Sequence, residues 1–201
     1  MSILTLFSWG YWGWGNATRE FLDAVAAVEK SRGFDPPFFA DIRIRRSGRA
    51  EGFVGDTFER EAGRPRHRHI AGLGNRNVVD GSSSGITIDR PEAVNELLEF
   101  AQEAERKKAR VLYFCSCRFP HSPDEPTCHR TSVTSLLLKE AKRRGISVKV
   151  VEWPGGEPAH LQLRVEPGEL RSVKAGRKSL AFKERLSLAK AASVAYGSTL
   201  D

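Results

Sequence analysis

The 201-residue chain lacks most features that would assign it to a special class. No apolar run approaches the ~20 residues that a membrane-spanning helix requires. Cysteine is scarce: Cys115, Cys117 and Cys128 are the only three. An odd number of thiols makes no disulfide framework, which points to a reducing compartment. Met1 to Trp9 carries no basic stretch and soon meets Gly10, Gly13 and Gly15, so it reads as a strand and not as a targeting peptide. No internal repeat and no second domain is visible. A cytoplasmic, soluble chain is expected, with a monomer favoured and no cofactor implied.

What is present is an ordinary globular balance, 40% hydrophobic and 28% charged residues, in a chain long enough to bury a core without staples. Thirty-two Lys and Arg against 25 Asp and Glu leave a net charge of +7. The cations are clustered: Arg43, Arg45, Arg46 and Arg49, then Arg64, Arg66, Arg68 and Arg76. A second group, Arg171, Lys174, Arg177, Lys178, Lys183, Arg185 and Lys190, covers the C-terminal segment. Guanidinium groups fork onto phosphate oxygens and stack on bases, so DNA is the expected partner; plain solubility is the alternative.

Hydrophobic periodicity gives strands over Ile3–Trp9, Phe38–Ile44, Val111–Cys115 and Ile146–Val151. Helices are expected after Asn16 or Thr18 as N-cap up to Gly33, after an Asp89/Glu92 capping box with Pro91, and over Ser132–Arg144. The middle, Arg45 to Gly85, promises only short elements around Phe53–Phe58 and His69–Leu73. Strands alternating with helices imply an α/β fold, an open, mostly parallel sheet in a Rossmann-like three-layer arrangement. Residues 1–153 form the core domain. Residues 154–201 form a basic extension, with a strand expected at Leu161–Val165 and a helix at Lys178–Val194.

Ligands of open parallel sheets bind beyond the carboxyl ends of the strands, and the unusual residues of this chain cluster there. Cys128-His129-Arg130 opens a helix, whose free N–H groups attract anions and favour a thiolate; a capped helix with a buried Cys is the alternative. Cys115-x-Cys117 with Cys128-His129 supplies four metal-capable groups. Two ligands one residue apart on an extended segment should point oppositely, however, so no metal is expected. Asp41 ends an otherwise buried strand, so its carboxylate needs either a partner among the nearby arginines or a catalytic task. Trp9, Tyr11, Trp12 and Trp14 put flat rings on a glycine-rich loop suited to holding an unstacked base, unless they pack on the sheet. Asn16 would cap the helix or read a base edge. His69 is expected to point inward and His67 to be solvated. Ser82 to Ser84 has no nucleophile-elbow setting.

Four motifs in order, Gly15-Asn16-Ala17-Thr18, Asp41-Ile42-Arg43, Leu73-Gly74-Asn75 and Cys128-His129-Arg130, resemble the domain-of-unknown-function family numbered 488, over Ile3 to Glu152. That resemblance implies a compact α/β domain with a polar pocket at the motifs and a link to nucleic-acid metabolism, without a stated reaction. This chain departs in its tryptophan-rich first loop and its basic extension, which suggest a bulky aromatic ligand on a polyanion.

The leading expectation is a DNA glycosylase that flips out and hydrolyses off a modified or damaged base, in repair or anti-phage defence. Asp41 would activate water or support the oxocarbenium-like state, and His69 or His129 would donate to the leaving base. The first-loop rings, Asn16, Arg43, Asn75, Cys128 and Arg130 would bind the nucleotide, and the remaining arginines and C-terminal lysines would track phosphates. The alternatives are a hydrolase of free nucleotides or nucleosides, and a non-enzymatic nucleic-acid-binding or redox-sensing module built on the three cysteines.

Overall fold

A computed structural model of the chain describes residues 3–11, 17–48, 50–82, 85–117 and 128–153. The elements are β1 (Leu4–Gly10), α1 (Thr18–Ser31), β2 (Phe38–Asp41), α2 (Thr57–Ala62), β3 (His67–His69), α3 (Asn77–Asp80), α4 (Val94–Arg106), β4 (Val111–Cys115), α5 (His129–Arg143) and β5 (Val148–Glu152), with short 3-10 turns between them. The five strands form one sheet in the order β3-β2-β4-β1-β5, and every ladder is parallel. The expected α/β sheet with flanking helices is therefore present. Among the described residues no helix is long and apolar enough to cross a membrane.

The central strands explain the layering. All five residues of β4, Val-Leu-Tyr-Phe-Cys, are buried, as a strand covered on both faces must be. Successive side chains alternate between faces. Val111, Tyr113 and Cys115 join Leu4, Leu6, Phe38 and Ala40 beneath α4 and α5, whose Leu97, Leu98, Ala101, Val133 and Leu137 complete that core. Leu112 and Phe114 join Phe7, Trp9 and Phe39 beneath α1 and α2, which contribute Phe21, Val25, Val28, Phe58 and Ala62. The sheet is thus the middle of three layers.

At the amino edge, Arg110 donates from Nε and Nη2 to Glu29 at 2.6 and 2.9 Å, with Arg32 on the same carboxylate at 3.3 Å. This buried cluster ties the end of α1 to the start of β4. Arg32 is a local i,i+3 partner of Glu29, but Arg110 lies 81 positions away, and no local pattern announces that meeting.

Several boundaries differ from expectation. β2 ends at Asp41, because the next residues leave the ladder, and His67–His69 pairs with β2 as a fifth strand. Ala17 stands at the cap position of α1 without a side-chain cap, in place of Asn16 or Thr18. Asp89 does not cap α4; Arg90 precedes its opening 3-10 turn, and the Asp89 carboxylate instead accepts from Arg76 at 3.2 Å. α5 starts at His129, three residues before the expected Ser132. The extension from residue 154 onward, with Lys174, Arg177 and Lys178, lies outside the described residues.

Candidate functional site

β1 and β4 lie side by side, yet the chain leaving β1 goes to α1 on one face and the chain leaving β4 goes to α5 on the other. Such a switch point opens a crevice at the carboxyl edge, where α/β sheets take their ligands. Here it falls at Gly10, paired with Cys115, and the Tyr11 N–H donates to the Cys115 carbonyl at 3.1 Å. Trp12, Trp14, Asn16 and Arg49, with residues 118–127, lie outside the described residues.

The predicted site residues divide between the two faces of the sheet. Asp41, Arg43 and Tyr11 lie on the α1–α2 side. Arg43 donates from Nε to Asp41 Oδ1 at 2.8 Å and from Nη2 to Oδ2 at 2.6 Å, and its backbone N–H adds a third bond to Oδ1 at 3.1 Å. The guanidinium also reaches the Tyr11 hydroxyl at 3.0 Å and the Phe53 carbonyl at 2.8 Å. Asp41 is 1% exposed. Of its two readings, the buried pair is the one present in the structure, and a bidentate fork of this kind leaves the carboxylate little capacity for water.

Trp9 and Tyr11 also depart from their expected role. Trp9 stacks on Phe21 at 3.6 Å between ring centroids, Tyr11 stacks on Phe53 at 4.1 Å, and both are buried. They are core residues because their positions alternate with Phe7 toward α1. His67 follows the same logic: paired with Phe39, it is turned inward against Phe58 and Phe114, and burial holds its pKa below the usual imidazole value.

The other side holds the denser polar cluster. The sulfurs of Cys115, Cys117 and Cys128 all lie within 4.8 Å of one another, with Cys115 and Cys128 at 3.3 Å. The expectation that Cys115 and Cys117 point oppositely fails because side chains two positions apart on an extended segment share a face. The chain bends at Ser116, and the Cys117 N–H donates to Cys115 Sγ at 3.4 Å. Hydrogen bonds from the Cys115 and Cys117 thiols, with the nearby Arg130 charge, hold the Cys128 thiol low, whereas burial pushes Cys115 well up. Arg130 is fully buried; its Nη1 donates to Glu152 Oε1 at 2.7 Å and to Ser8 Oγ at 3.4 Å, and its Nη2 to the Cys117 carbonyl at 3.4 Å. Tyr113 and Thr134 share a 2.5 Å hydroxyl contact beside it. Glu152 Oε2 has no hydrogen-bond partner among the described residues, and burial pushes this carboxyl up to about 7.

Two histidines flank the exit of β2. His69 Nε2 contacts the Arg43 carbonyl at 2.7 Å, and His129 Nε2 contacts the Ile42 carbonyl at 3.2 Å. A carbonyl only accepts, so each ring donates from Nε2 and, when neutral, keeps its Nδ1 lone pair. The two rings thus bind consecutive carbonyls of the chain leaving β2. Asp41 and His69 are ladder partners, whereas Cys128 packs with Cys115 on the α4–α5 face, and the two histidines meet at adjacent carbonyls between them.

The remaining expectations find structural partners. Asn75 Oδ1 accepts from the N–H of Asn77 at 3.2 Å and of Thr87 at 3.0 Å, holding its loop closed. Arg46 pairs with Glu59, Arg68 with Glu103 while stacking over Phe100, and Arg76 with Asp80 and Asp89. Arg64 lies 3.8 Å from Glu59; Arg45 is exposed and Arg66 half-buried. Glu152, Ser8 and Tyr113 were missed by sequence reasoning. The available signal was the one that singled out Asp41, a carboxylate ending an apolar strand.

Fold and site define an open, all-parallel α/β domain with a buried arginine–carboxyl–thiol cluster at its switch point. No protein-family model, curated protein or solved structure matches the chain.

Proposed function

We propose that the chain is a hydrolase that breaks an N-glycosidic bond of a nucleotide held at the β1–β4 crevice, with a modified or damaged base in DNA as the substrate class. One observation carries the chemistry. Glu152 ends β5 beside Ser8 of β1, with one oxygen accepting from Arg130, the other buried and without a hydrogen-bond partner among the described residues, and 16% of its side chain exposed. A carboxyl retained partly protonated near neutrality is suited to general acid work. In this reading the Glu152 proton passes to the departing base as the C–N bond breaks. Water then adds to the anomeric carbon and returns its proton to the Glu152 carboxylate. Asp41 becomes a positioning residue that fixes Arg43, whose carbonyl orients His69. The net charge of +7 and the motif likeness to the 488 family support a nucleic-acid substrate.

The test is incubation with DNAs carrying different modified bases, followed by mild alkali to reveal abasic sites. Cleavage by the wild type that falls by orders of magnitude in a folded Glu152→Gln variant is the expected result. Absence of abasic sites across a broad panel, or full turnover in Glu152→Gln, overturns the reading. Hydrolysis of free nucleotides is the second reading, favoured by the engagement of Arg46, Arg68 and Arg76 with carboxylates of the same chain. Mobility shift at several salt concentrations separates the two, because polymer binding weakens steeply with salt.

A further inference from the structure

We propose that Cys115, Cys117 and Cys128 form a three-thiolate zinc site that clamps the start of α5 to the carboxyl end of β4. The chain has three cysteines, and the fold brings all of them to one point although 13 positions separate the first from the last. Two sulfurs suffice for a disulfide; convergence of three is the requirement of a metal ion. A tetrahedral zinc with bonds of about 2.3 Å places its sulfurs roughly 3.8 Å apart. The observed cluster, with a 3.3 Å pair inside a 4.8 Å limit, brackets that spacing, so occupation requires side-chain shifts and not a backbone rearrangement.

The surroundings match what thiolate–metal sites need. The Cys117 N–H donates to Cys115 Sγ, the kind of second contact that orients a ligating sulfur and stabilises its negative charge. Arg130, buried next to Cys128, supplies a fixed positive charge that acts on both Cys115 and Cys128. Three thiolates and one divalent ion leave a net charge of minus one, which lies beside the guanidinium that Arg130 shares with Glu152. Thiolates select zinc and softer ions over magnesium or calcium. The described residues provide three ligands, and the fourth position is that of a solvent molecule, in the manner of sites that keep an exchangeable corner. The proposal is independent of the glycosidic reading: a clamp of this kind holds Arg130 and His129 in place whatever the reaction.

The experiment uses the full chain purified under reducing conditions without chelator. Zinc by mass spectrometry is expected at about one per chain. Cobalt exchanged into the site is expected to give tetrahedral d–d bands and thiolate-to-cobalt charge transfer with the intensity of three sulfurs. Cys117→Ser, which changes the half-buried member, is expected to lose the ion on dialysis while its circular dichroism is retained. If that variant unfolds, the cobalt spectrum of the wild type decides by its sulfur count. No zinc and no cobalt bands, a sulfur count below three, zinc retained in a folded Cys117→Ser/Cys128→Ser variant, or isolation of the reduced-purified chain with Cys115 and Cys128 joined would each overturn the proposal.

Discussion

Arg130 donates to Glu152 at 2.7 Å across the space between α5 and β5, with the guanidinium fully buried. Above pH 7, where the Glu152 carboxyl is ionised, cutting such a pair on one side strands the other charge in a poorly solvated place, which costs on the order of 3–5 kcal/mol. Arg130→Met is therefore expected to lower stability to urea by that order. Arg143→Met, which removes an exposed pair with Glu140, should leave the midpoint unmoved. Equal midpoints for the two variants would show that Arg130 is not the anchor of this corner.

The same carboxyl makes stability depend on pH. Burial raises the folded Glu152 pKa from 4.5 to about 7, so the folded state holds the proton more tightly than the unfolded state. The stability from that proton is fully present below about pH 4.5 and is lost as the pH rises through about 7. Glu152→Gln removes this slope. Urea unfolding of both proteins at pH 5 and pH 8 should show the wild type losing ground to the variant at the higher pH. Parallel profiles would mean that Glu152 titrates as an ordinary surface carboxylate.

Asp41→Asn separates a structural carboxylate from a catalytic one. The Arg43 fork uses both Asp41 oxygens, and the same guanidinium reaches Tyr11 and Phe53. Neutralising Asp41 leaves a buried cation short of its counter-charge, with an expected loss on the order of 3–5 kcal/mol. Thermal unfolding followed by circular dichroism measures it. A variant that melts like the wild type but has lost turnover would return Asp41 to the reaction.

How much of this was legible in the sequence follows from what each signal encodes. The apolar run Val111–Phe114 and the glycine-closed strand at the N-terminal end announce a buried parallel sheet, because strands covered on both faces carry no alternation. The carboxyl-edge clustering of Asp41, Cys115 and Cys128 was legible from element order alone. Which face each residue takes was not, since it depends on ladder parity: Asp41 alternates with Phe39 toward α2, while Cys115 alternates with Tyr113 toward α5. The pairing of Cys117 with Cys115 follows from the two-residue period of an extended segment, whereas the return of Cys128 to the same point is contained in no spacing rule. The arginines look free in the sequence because their partners, Glu59 and Glu103, come from other elements. Glu152 was hidden by neighbouring Lys149, which makes the strand resemble a solvated edge.

The last prediction concerns Leu73-Gly74-Asn75, whose glycine is explained by packing. A Cβ on Gly74 would sit 2.2 Å from the Ile44 backbone nitrogen and 2.5 Å from its Cα, so the contact is with a main chain that has nowhere to yield. Ile44 follows Ile42 and Arg43, whose carbonyls receive His129 and His69. Gly74→Ala is therefore expected to cost at least the ~1–3 kcal/mol of an overpacked core and to displace the β2 exit that fixes both rings. Gly48→Ala is the control, because its added Cβ meets only the Tyr11 hydroxyl at 3.6 Å, an ordinary contact. Thermal unfolding reports the stability difference, and imidazole proton resonances report the histidines: in Gly74→Ala both should shift, and in Gly48→Ala neither. If Gly74→Ala melts with the wild type, the approach of the two backbones is looser than the structure has it, and the loop around Asn75 does not support the site.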